Sequence, residues 1–103
     1  MTKAQYEIRD DEFIFTCRGH AGYADAGSDI VCAGISTLTQ TLVSYLPEVT
    51  DTFSARISAG DVFINAKGRD ALICFQMMME GLRLIQSSFP EYLETTEGCT
   101  INS

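Results

Sequence analysis

The stretch SDIVCAGISTLTQTLVSYLP, residues 28–47, reads as one amphipathic helix between two runs of alternating residues. Val31, Ile35, Leu38, Leu42 and Tyr45 step by 4, 3, 4 and 3, which lines apolar side chains along one helical face. Ser28 or Asp29 can cap its start, and Pro47 is expected to end it, giving a helix over about 28–46. On the N-terminal side the period changes to two. Ala4, Tyr6 and Ile8 alternate with Gln5, Glu7 and Arg9, and Phe13, Phe15 and Cys17 alternate with Ile14, Thr16 and Arg18. Strands are expected at about 3–9 and 12–19, joined by a turn at Asp10-Asp11.

The C-terminal side repeats the pattern. Phe53, Ala55 and Ile57 alternate, as do Val62, Ile64 and Ala66, with Ser58-Ala59-Gly60-Asp61 turning between them. After Gly68, a second helical stripe carries Ala71, Phe75, Met78, Leu82, Ile85 and Phe89, and Pro90 follows it. A short last strand is expected near Tyr92–Thr95. The order is β-β-α-β-β-α-β. It indicates an α+β fold in which two helices pack on a largely antiparallel sheet. With 103 residues, the chain makes one domain spanning 1–103.

Charge and composition narrow the function. Seven Lys and Arg against 14 Asp and Glu give a net charge of −7, which opposes a broad basic surface for nucleic acid. The same charge suits a basic partner. No apolar run approaches the roughly 18 residues that cross a bilayer. The start Met1-Thr-Lys-Ala-Gln lacks the apolar stretch of a secretory signal, so a cytoplasmic location is expected. Cys17, Cys32, Cys74 and Cys99 lie 15, 42 and 25 residues apart, with no CxxC pair and a single histidine, His20. That spacing disfavours zinc, and without a signal sequence free thiols are expected rather than disulfides. Cys17 and Cys74 fall inside apolar patterns and read as small buried hydrophobes, whereas Cys99 lies in a polar tail.

His20 and Cys32 are a different case. Gly19 to Gly27 holds three glycines in nine residues and has no apolar period, so it reads as a flexible loop that includes Gly22, Tyr23 and Gly27. His20 stands at its mouth, and Cys32 stands in the first turn of the helix beyond it. Free N–H groups and the positive end of the helix dipole favour a thiolate at such a position. A histidine brought within reach supplies its base, and first-turn N–H groups are candidates to hold an oxyanion. The residues alone also fit a core cysteine and a solvated histidine. Asp29 reads as a cap or dipole partner. Ser36 lies one turn beyond Cys32, placed to bond near the thiol or back to the Cys32 carbonyl. Met77-Met78-Met79 reads as core or dimer packing.

The segment Gly19-His20-Ala21, with Gly27-Ser28-Asp29-Ile30-Val31-Cys32-Ala33-Gly34-Ile35-Ser36 after it, resembles the signature of the Prp family of ribosomal-processing cysteine proteases. The family pattern is Gly-His-Ala, a short glycine-containing loop, then Gly-x-Asp-Ile-Val-Cys-Ala-x-x-Ser. The resemblance implies Cys32 as nucleophile, His20 as general base, supporting roles for Gly19, Asp29 and Ser36, no metal or organic cofactor, and a homodimer. It further implies removal of an N-terminal extension from the large-subunit ribosomal protein twenty-seven, cut after paired phenylalanines. Some phage-borne relatives process capsid or scaffold proteins instead. If that substrate class holds, Tyr23, Ile30 and Ile35 are the apolar and aromatic residues available near the site, and some of them are expected to line a pocket for the phenylalanine ring. A dimer is also suggested by Leu72, Ile73, Met77, Met79 and Leu84, which lie off the main stripe of the second helix. Two rivals from other classes are a non-enzymatic module that binds a ribosomal protein and a thiol-redox protein. The second lacks a nearby resolving cysteine.

Overall fold

The computed structural model describes residues 1–24 and 29–98. Along the chain run β1 (Thr2–Arg9), β2 (Glu12–Arg18), α1 (Ile30–Val49), β3 (Phe53–Ser58), β4 (Asp61–Lys67), α2 (Arg69–Ser88) and β5 (Leu93–Glu97). This is the α+β order read from the sequence. The five strands form one sheet in the order β3-β4-β2-β1-β5. All neighbours are antiparallel except β1 and β5, which run parallel with Thr2 opposite Leu93. The return through α2 makes that parallel pair possible, since parallel neighbours need a long crossover.

Alternation sets the core. Tyr6 pairs with Phe15, Phe15 with Ile64, and Phe13 with Ala66, so these side chains share one face of the sheet. Phe75 of α2 descends onto that face. Its ring stacks on Phe13 at 4.2 Å and meets Tyr6 and Phe15 edge-on at 5.5 and 5.9 Å. Beside it α1 buries Val31, Ile35, Thr39, Leu42 and Leu46. The two helices approach closely where residues are small. A methyl group on Gly81 would lie 2.7 Å from Leu38 Cδ2, and one on Gly34 would lie 3.1 Å from Ile85 Cδ1.

Several elements depart from the sequence reading. Helix α1 does not stop at Pro47 but continues to Val49, where Leu46 O accepts the Thr50 N–H at 3.0 Å. Proline's fixed φ is helical, so in a last turn it costs mainly one backbone bond. The last strand lies later than expected, at 93–97, because its register is set by pairing with β1. Every residue of β3 is exposed, although Phe53, Ala55 and Ile57 alternate. As the outermost strand it has only β4 beside it. The buried face of α2 is wider than one stripe and takes in Met79, with Leu72 partly buried against it. Ile73, Met77 and Leu84 remain outside, 52, 74 and 70% exposed. Contrary to the sequence reading, α1 is long and apolar enough to cross a membrane by length and composition. Here its apolar face packs on the sheet and on α2.

Candidate active site

Strand β2 ends at Arg18, and the chain must leave the sheet to reach the start of α1. Gly19 makes that exit with φ +97, a left-handed conformation suited to glycine, and a Cβ there would lie 2.7 Å from Met1 O. Its N–H donates to Gly60 O at 2.9 Å, which ties the exit to the β3–β4 turn. His20 comes next and lies against that turn, and Ala21 is buried beneath it.

Asp29 caps α1. Its Oδ1 accepts the Cys32 N–H at 2.8 Å, and its Oδ2 accepts the Tyr23 N–H at 3.1 Å. The Cys32 N–H bond is the main reason that the Asp29 carboxyl lies below its ordinary range, with the Tyr23 and Ala24 N–H groups adding to it. One carboxylate therefore holds both the Tyr23 backbone and the helix start. It makes no hydrogen bond to His20, so the cap reading of Asp29 is the one the geometry bears out. The first-turn N–H of Cys32 is taken by this cap and that of Ala33 by the Asp29 carbonyl, so neither is open to an oxyanion. The Cys32 sulfur is half-buried and accepts the Ala21 N–H at 3.3 Å.

His20 and Cys32 line one cavity of about 350 Å³, with Cys17, Ile35, Ser36, Thr39 and the Ile57–Val62 turn around them. A second hollow shares His20, Cys32 and Ser36 with it and reaches Gly22, Ala24 and Asp29. The thiol thus borders both recesses. No hydrogen bond joins His20 to Cys32, and the Ser36 hydroxyl makes none among the described residues. Gly27 of the expected loop lies outside the described residues, as does Cys99.

Of the three residues available for the aromatic pocket, one lines the cavity. Ile35 lines the cavity, but Ile30 is largely exposed and is not part of its wall. Tyr23 turns away from the thiol and packs edge-on against Phe89 and Tyr92, at 5.4 and 5.3 Å. Ile57 and Val62 take the place of those two residues. Period-two alternation places these two in a hairpin but does not show that the hairpin's end closes on the start of α1. Cys17 is buried in the cavity floor. Burial pushes its thiol up to about 11, with the Cys32 charge contributing, so it is a poor nucleophile near neutral pH. Cys74 is half-buried against the core. No three His, Cys, Asp or Glu side chains converge as a metal site among the described residues.

A half-buried thiol in a helix's first turn thus shares two recesses with the His20 side chain. The family model described as Cysteine protease Prp matches residues 1–94. The chain belongs to the Prp family of cysteine proteases. Solved structures share the fold. The S. aureus ribosomal processing protease Prp, with a covalently linked product peptide, is 22% identical, with a TM-score of 0.85 over 95% of this chain and 100% of the other. The same protease with a substrate peptide gives 21% identity and a TM-score of 0.79 over the same shares. SMU.848 from Streptococcus mutans gives 23% and 0.70, over 94% of this chain and 93% of its own. No protein of curated function matches the sequence. Within the Prp family resemblance, Gly19, His20, Asp29, Cys32 and Ser36 are the residues of this chain at the motif positions, and all five border the thiol or hold the segments around it.

Proposed function

We propose that the chain is a cysteine endopeptidase in which Cys32 is the nucleophile and His20 the acid–base, and that it removes the N-terminal extension of a large-subunit ribosomal protein, protein twenty-seven. The observation that carries this reading is the shared cavity: the only histidine of the chain opens onto the same recess as the half-buried Cys32. The Cys32 thiolate adds to the scissile carbonyl, and the tetrahedral adduct collapses to a thioester as His20 protonates the departing amine. His20 then takes a proton from water, which attacks the thioester and frees the acid. The hydrogen bond between the pair forms on substrate binding, as catalytic bonds often tighten only in the complex. The two recesses accept chain on either side of the scissile bond. The net charge of −7 favours a basic ribosomal protein. The S. aureus relative's description as a ribosomal processing protease supports the substrate class.

The stripe of Ile73, Met77 and Leu84 on α2 supports a homodimer, since these large apolar side chains lie on one helical face in solvent. The enzyme acts in the cytoplasm, where ribosomal proteins are made. The test of specificity is a series of peptides with Phe, Leu, Ala or Lys before the scissile bond. Burying phenylalanine beside Ile35, Ile57 and Val62 gives it about a ten- to hundredfold advantage in kcat/KM over Ala. Equal rates, or a preference for Lys, would remove the ribosomal-protein assignment.

A further inference from the structure

We propose that Gly60, at the β3–β4 turn, is a positioning residue that sets where the His20 imidazole stands. The inference rests on His20 acting as the acid–base. Gly60 has φ +72, and a Cβ there would lie 2.8 Å from His20 Nε2, 3.0 Å from Cε1 and 3.4 Å from Cδ2. The imidazole therefore occupies the space that any other residue's side chain would fill. The same glycine's carbonyl accepts the Gly19 N–H at 2.9 Å, so it ties down the backbone before His20 while its missing side chain leaves room for the ring. The turn is not needed to shape the hairpin in this way alone, since residues such as Asn also adopt a left-handed turn conformation. What a side chain cannot do here is leave the ring in place. The titratable groups that share the cavity walls with His20 are Cys17, Cys32 and Asp61, and Asp61 is held by Arg18 at 3.5 Å and Arg56 at 3.4 Å.

The test compares Gly60→Ala with Gly98→Ala. Gly98 also has a positive φ, +94, but nothing lies within 4 Å of an added Cβ and it is outside the cavity, so it reports backbone strain without a clash. Gly60→Ala lowers kcat for peptide cleavage at least tenfold with KM changed less than threefold, while Gly98→Ala leaves both near the parent values. In Gly60→Ala/His20→Ala the loss equals that of His20→Ala alone within about twofold, because Gly60 acts only through the imidazole. His20 is the only histidine, so its ring gives one NMR signal set, and that set moves in Gly60→Ala and not in Gly98→Ala. Gly60→Asn, which carries the same Cβ but tolerates positive φ, behaves as Gly60→Ala and serves if the alanine variant does not fold. Parent-like kcat in Gly60→Asn, additive losses in the double variant, or an unmoved His20 ring signal overturns the proposal. If the parent enzyme cleaves no peptide, the acid–base reading fails, and the ring signal still decides whether Gly60 holds the imidazole.

Discussion

The Asp29 carboxylate holds the backbone N–H of Cys32 at 2.8 Å, and with its other oxygen the N–H of Tyr23 at 3.1 Å. This side chain thus joins Tyr23 of the glycine-rich segment to the helix that carries the thiol. The place of the Cys32 thiol depends on a helix cap. In the proposed mechanism Asp29 acts through this cap and does not touch the reacting atoms.

Asp29→Ala removes the cap and frees the loop. The melting temperature falls by about 4–8 °C, typical of a lost cap in a domain of this size. The parent also loses stability in acid for the same reason. The carboxyl's folded pKa is depressed, so its contribution is complete above the unfolded value near 4 and disappears as pH falls through the lower folded value. Urea melts between pH 2 and 6 show a shallower acid limb in Asp29→Ala. An identical limb in both proteins contradicts the capping account.

Cys17 gives the opposite limb. Its folded pKa, about 11, stands above the ordinary 9.0, so the folded state keeps a proton that the unfolded chain releases. Stability is full below pH 9 and declines as pH rises toward 11, by on the order of 2 kcal/mol. Cys17→Ala flattens this decline in denaturant melts at pH 8–11. In the parent protein at pH 7.5, iodoacetamide modifies Cys32 well before Cys17, which mass mapping of the alkylated chain reads directly.

Phe75 lies among three aromatic side chains, Tyr6, Phe13 and Phe15. Phe75→Ala leaves a cavity under the stacked Phe13 ring and costs about 3–5 kcal/mol of stability. Chemical denaturation measures it. A loss below 1 kcal/mol means that the aromatic cluster collapses to fill the space.

Met77→Glu places a charge in the exposed stripe of α2. Sedimentation at micromolar concentration finds a dimer in the parent and a monomer in the variant, with the melting temperature of the isolated chain little changed. A monomeric parent, or a dimer that survives the change, removes this face as the interface.

Sequence periodicity revealed the architecture because burial in this chain follows local pattern. The hairpin alternation around Tyr6 and Phe15 and the stripe from Val31 to Leu42 each report a face that the fold then buries. It failed where distant segments meet. Nothing local says that the β3–β4 turn closes over His20, so Ile57, Val62 and Gly60 read only as hairpin residues. Tyr23 read as a pocket residue because it is near Cys32 in sequence. Its ring is instead taken by Phe89 and Tyr92, from the other end of the chain. Pro47 read as a stop because a proline's lost bond is local, whereas the bond that continues the helix beyond it is made by Thr50. His20 and Cys32 were singled out through their motif, not their spacing, since eleven intervening positions fix no distance.

The most direct measurement is the mass of the products when parent protein and Cys32→Ala are each incubated with the extended ribosomal protein. The parent releases one N-terminal fragment ending in phenylalanine and leaves the shortened protein, while Cys32→Ala, with an unchanged circular dichroism spectrum, leaves the substrate intact. Cleavage by Cys32→Ala at the parent's rate contradicts the assignment of Cys32 as the nucleophile.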